Sequence, residues 1–66
     1  MNKPKQVTIL EFSNGTFAVD VYDDYFYRKG RKIFSSRIEA EKFKAKALET
    51  ELRQLLINGS IKRTNF

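Results

Sequence analysis

The hydrophobic pattern of this 66-residue chain changes period once, at Ser36. Before it, short runs that alternate apolar and polar residues are separated by turn formers. After it comes a segment rich in Ala, Glu, Lys and Leu, with neither Gly nor Pro until Asn58-Gly59. Alternation at period two sorts side chains onto the two faces of a strand, whereas an uninterrupted run of strong helix formers predicts a helix. The expected architecture is α+β, in the order βββα. A three-stranded antiparallel sheet, or a four-stranded one if a further break intervenes, is packed on one face by a single long C-terminal helix.

Val7 to Phe12 and Thr16 to Tyr22 flank Asn14-Gly15, a dipeptide that accepts the positive φ angles of a two-residue hairpin turn. Such a loop sets Phe12 opposite Phe17, Leu10 opposite Val19 and Thr8 opposite Val21 on an almost wholly apolar face. The other face then carries Glu11, Ile9 and Asp20. Continued alternation would send Asp23 into the core, at a cost of several kcal/mol for an unpaired carboxylate, so the strand must bulge or turn at Asp23-Asp24. Tyr25-Phe26-Tyr27 is expected to resume the strand and pair Phe26 with Ile33 and Tyr27 with Lys32. Arg28-Lys29-Gly30-Arg31 is then a basic hairpin tip.

Ser36-Arg37-Ile38-Glu39 matches a capping box, which starts the helix at Arg37, and Gly59 suits the position after its end. About 21 helical residues span roughly 31 Å, against about 20 Å for a six-residue strand. Ala40, Phe43 and Ala47 share one helix face. Ala45, Leu48, Leu52, Leu55 and Leu56 centre roughly 130° away at 100° per residue. A flat sheet does not cover both faces, so Leu52, Leu55 and Leu56 either wrap a twisted sheet or form an oligomer or partner contact.

A domain of this size buries only about 60% of its unfolded surface, and with no Cys and no His it has neither a disulfide nor a Cys/His zinc site to reinforce it. Catalysis is not expected: no Ser-x-x-Lys or Gly-x-Ser-x-Gly pattern is present, no phosphate-cradling glycine loop, and no EF-hand loop around Asp20, Asp23 and Asp24. No cofactor or metal is implied. No apolar run exceeds three residues and none follows Met1, so the expectation is a cytoplasmic protein with no membrane association.

The net charge of +5 is unevenly distributed. Residues 6–27 hold Glu11, Asp20, Asp23 and Asp24 without a cation, and residues 28–37 hold Arg28, Lys29, Arg31, Lys32 and Arg37 without an acid. These five cations are the candidate phosphate contacts, with Tyr22, Tyr25 and Tyr27 as aromatic contacts on the uncovered sheet face. Residues 1–5 form a basic arm, 6–57 the domain, and 58–66 a basic tail expected to be flexible.

Phe17 after the first glycine turn, the Gly30-Arg31 turn and the phrase Phe34-Ser35-Ser36-Arg37-Ile38-Glu39-Ala40 together resemble the three-stranded-sheet-plus-helix, AP2-like DNA-binding domains at the N-termini of tyrosine recombinases of mobile elements. The resemblance covers about residues 6–57. It implies a small phage or mobile-element accessory protein whose sheet contacts DNA, rather than RNA, through Arg28, Lys29, Arg31 and Lys32. The acids beside that face favour contact through the basic tip and the helix start. The alternative is a phage-type inhibitor or adaptor that occupies a host protein surface, and self-association as a homodimer is compatible with either.

Overall fold

The computed structural model describes residues 3–59 and 61–63. Strands β1 (Gln6–Glu11), β2 (Phe17–Tyr22) and β3 (Arg28–Phe34) form an antiparallel meander. Helices α1 (Arg37–Leu48) and α2 (Leu52–Ile57) follow, and β4 (Lys62–Arg63) adds a short antiparallel strand beside β3. No helix of the described residues is long and apolar enough to cross a membrane. Within the segment read as a tail, Ile61 is buried and Lys62–Arg63 belongs to the sheet. Residues 1 and 2 of the expected arm, and 60 and 64–66 of the expected tail, lie outside the described residues.

The first hairpin differs from expectation by one residue of register. Phe12 N–H donates to Thr16 O (2.9 Å) and Gly15 N–H to Phe12 O (3.1 Å), so the loop is Ser13-Asn14-Gly15, with Gly15 at φ +88°. The Asn14 side-chain oxygen accepts from both Thr16 N–H and the Thr16 hydroxyl, which holds the longer loop. A one-residue slip turns a strand over. Glu11 therefore stands opposite Phe17, Ile9 opposite Val19, Val7 opposite Val21 and Thr8 opposite Asp20. Val7 and Ile9 face the helices, while Leu10 and Phe12 stand on the uncovered face. The exchange places two β-branched residues inside, where their stiff side chains suit a sheet face.

The second correction concerns the aromatic and basic segments. Asp23-Asp24-Tyr25-Phe26-Tyr27 is the turn, and the basic segment is strand β3. Asp23 initiates this turn as Asx residues do, its Oδ1 accepting from Tyr25 N–H (2.9 Å) and Tyr27 N–H (3.0 Å). β3 carries one residue more than β2 between the Val21↔Gly30 and Tyr22↔Arg28 pairs, and Lys29 is that bulged residue. Arg28 and Arg31, three apart, would face opposite ways on a regular strand; the bulge sets both on the uncovered face.

The helical segment is also not one helix. Ser36 caps α1, its hydroxyl accepting from Glu39 N–H at 3.5 Å. After Leu48 the chain tightens: Glu49 N–H donates to Lys46 O, Thr50 N–H to Ala47 O, and the Thr50 hydroxyl to Lys46 O at 2.7 Å. Glu51 is extended (φ −61°, ψ 136°) and α2 restarts beyond it. This break resolves the conflict between the two apolar faces. Ala40, Phe43 and Ala47 pack on the sheet from α1, and the redirected α2 brings Leu52, Leu55 and Leu56 onto the same core.

The core joins Val7, Val19, Val21, Ala40, Ala47, Leu55 and Ile61, with Phe34 against Phe43 at 5.4 Å between ring centroids. Gly30 admits Ile61: a Cβ there would lie 2.6 Å from Ile61 Cδ1 and 3.0 Å from Lys62 O. Its role is close approach rather than a turn. Gly30→Ala is expected to destabilise the protein by about 1–3 kcal/mol, as an overpacked core does. Combination with Ile61→Val, which removes the atom met first, should cost less than the sum of the single changes in a urea-denaturation double-mutant cycle.

Candidate functional site

The sheet has one face under the helices and one without helical cover. Register places Thr8, Leu10, Ala18, Asp20, Tyr22, Arg28, Arg31 and Ile33 on the latter, with Lys62 of β4 opposite Arg31. At its centre Asp20 is 1% exposed. A buried carboxylate is tolerated only with strong partners. Arg31 supplies a forked pair, Nε to Oδ1 at 2.6 Å and Nη2 to Oδ2 at 3.0 Å, and Arg28 Nη1 lies 3.7 Å from Oδ2. The Asp20 hydrogen bond raises the Arg31 guanidinium pKa above its already high ordinary value, despite the opposing effect of burial. The Arg31 guanidinium also lies 5.7 Å from the Phe12 ring centroid.

The five candidate cations do not gather at one end. Arg28 and Arg31 share the open face with Tyr22, and Lys29 occupies the bulge beside them. Lys32, opposite Val19, is on the helix side, its ammonium 5.5 Å from the Phe34 ring. Arg37 is also there. It contacts Glu11 at 2.7 Å and Glu41 at 3.7 Å, with its guanidinium 5.1 Å from the Phe17 ring. The sheet thus lies between Arg28 and Arg31 on one side and Lys32 and Arg37 on the other, which separates four of the five cations expected to form one clamp. Of the leucine stripe, Leu55 is in the core and Leu52 and Leu56 are half-buried against it.

The acids are correspondingly placed. Glu11 faces the helix side with Arg37, Asp20 lies beneath two arginines, and one Asp23 oxygen accepts two backbone N–H groups. Only Asp24 is an exposed acid of the second turn. That turn also presents Tyr25, Phe26 and Tyr27, which are 80%, 56% and 64% exposed. Phe26 has φ +63°, a left-handed conformation that costs a residue with a Cβ about 1–2 kcal/mol. On a regular strand Phe26 would face away from Tyr25 and Tyr27 and pair with Ile33, whereas the turn exposes all three rings. The signal was Asp23-Asp24, which marks a turn start whose left-handed position falls three residues on. Among the described residues, no three His, Cys, Asp or Glu side chains converge as a metal site would require.

Arg31→Ala is expected to destabilise the fold by about 3 kcal/mol, because a buried carboxylate loses its forked partner. Joint replacement of Asp20 and Arg31 by Leu should cost less than Arg31→Ala alone. Equilibrium unfolding of the single and double variants measures both.

Comparison with protein-family models, curated proteins and solved structures finds no match for this chain.

Proposed function

We propose that the chain is a nonenzymatic nucleic-acid-binding accessory protein that meets phosphates with the open face of its sheet. The observation that carries this reading is the charge arrangement of that face. Arg28, Arg31 and Lys62 stand there with one acid, Asp20, which is buried and neutralised from within. A positive, helix-free sheet face beside exposed aromatic rings is suited to a polyanion with flat bases. The resemblance of Phe34–Ala40 and Gly30-Arg31 to recombinase DNA-binding domains supports DNA over RNA and a mobile-element setting. The contact surface differs from the tip-and-helix-start mode expected from sequence, since Lys32 and Arg37 face the other side.

A second reading, a protein-binding adaptor, is favoured by the edge of β1. This edge strand borders a groove lined by Ile9, Ala45 and Leu48 and rimmed by Arg37, Glu41 and Lys44. An extended peptide of a partner protein would add there as a fifth strand.

Salt dependence separates the readings. Duplex or single-stranded DNA should bind more weakly as salt rises, with a linear dependence of log affinity on log salt. Lys29→Ala and Lys62→Ala, which leave the Asp20 cluster intact, should each reduce the slope by about one. Absence of binding to either form at low salt overturns the proposal. A stoichiometric protein partner that survives nuclease, and is lost in a Leu48→Lys variant, establishes the second reading instead.

A further inference from the structure

We infer that the Tyr25-Phe26-Tyr27 tip is a stacking platform for unpaired bases, so that the ligand is single-stranded or locally opened nucleic acid rather than intact duplex. This rests on the nucleic-acid reading above and specifies its substrate.

The two hairpin turns of the sheet are built alike. In each, the first residue's N–H donates to the fifth residue's carbonyl, at 2.9 Å for Phe12 and Thr16 and 3.0 Å for Asp23 and Tyr27. In each, the fourth residue's N–H returns to the first carbonyl and the fourth residue has positive φ. The first turn places glycine at that fourth position and the second places Phe26. Glycine adopts this conformation without a steric penalty, whereas phenylalanine does not. Burial does not compensate, since the Phe26 side chain is more than half exposed. Folding alone therefore favours a different residue, and the position of Phe26 is accounted for by what its ring contacts outside the chain.

The tip is also preorganised. Asp23 Oδ1 holds the backbone N–H groups of both tyrosines, so consecutive rings are displayed on a fixed turn rather than a loose loop. Arg28 follows directly, and the open-face cations Arg31 and Lys62 lie farther along the same strand pair. The exposed rings of the tip suit base faces, while the cations favour phosphates along the sheet. A nucleic-acid strand has both chemistries in alternation. In a duplex the base faces are covered by their neighbours, and each must be unstacked at a cost before a side chain reaches it. In a single strand they are accessible, and each base stacked on an aromatic ring contributes roughly five- to hundredfold in affinity.

The full chain is titrated with a thymidine oligomer and with a blunt duplex of equal length, at matched salt. The single strand should bind more tightly and quench tyrosine fluorescence, which is readable because the chain has no Trp. Phe26→Gly should weaken single-strand binding about tenfold, leave the salt slope unchanged, and raise the thermal midpoint by roughly 4–8 °C through relief of the backbone. Tyr25→Ala, at the most exposed ring, should weaken the same binding without the gain in stability. Preference for duplex, or unaltered single-strand affinity in Phe26→Gly, overturns the inference while leaving salt-dependent binding in place. Absence of any salt-dependent binding in the unmodified chain overturns both.

Discussion

The buried pairing of Asp20 with Arg31 and Arg28 is the constraint around which the sheet is arranged. A carboxylate at the centre of a small sheet, almost without water, requires fixed cations on the adjacent strand, and they must be on the same face. This requirement sets the Asp20↔Arg31 register and gives the Lys29 bulge its purpose, since without the extra residue Arg28 turns to the helix side. It also explains why strand β3 is basic. A segment whose charge density reads as a solvated turn is a strand because two of its cations neutralise a buried acid.

Closure of the other face depends on shape rather than charge. Val19 and Val21, the fully buried inward residues of β2, and Ala40 and Ala47 of α1 are small or compact, which brings helix and sheet close. The break at Glu49–Glu51 then lets α2 and Ile61 fill the end that a straight helix would leave uncovered. Ile61 reaches its place only because Gly30 has no side chain. A domain of this size has little surplus stability, so this C-terminal closure is a substantial part of its core.

Features set by local chemistry were legible in the sequence. The Ser36 cap and the helix end before Gly59 each depend on residues within a few positions of one another, whereas Asp23-Asp24 marks an interruption of the strand without choosing between a bulge and a turn. What was not legible depended on tertiary choice. Asn14-Gly15 fits both a two-residue turn and the end of a three-residue one, and the selection between Ile9 and Leu10 as the inward residue was made by the fit to the helices. The helix break had a visible cause in the 130° separation of its apolar faces, but no Gly or Pro marks its location, where Glu51 is extended and the Thr50 hydroxyl turns back to Lys46. The five cations are close in sequence yet divide between the two faces, because Arg31 and Lys32 are neighbours on a strand rather than on a hairpin tip, and a strand sends them to opposite sides.

The same geometry changes what the charge count means. A net charge of +5 describes a chain in which several cations already have acidic partners: Arg28 and Arg31 at Asp20, Arg37 at Glu11 and Glu41. Such pairing does not remove a cation from contact with a polyanion, since a guanidinium has five donors and an Asp20 carboxylate engages only some of them. It does fix where the remaining donors point. Arg31 is therefore a positioned cation, and Lys62 opposite it is exposed. Under the proposed function, a phosphate chain laid across that face would meet one positioned guanidinium, with the exposed Lys62 ammonium beside it.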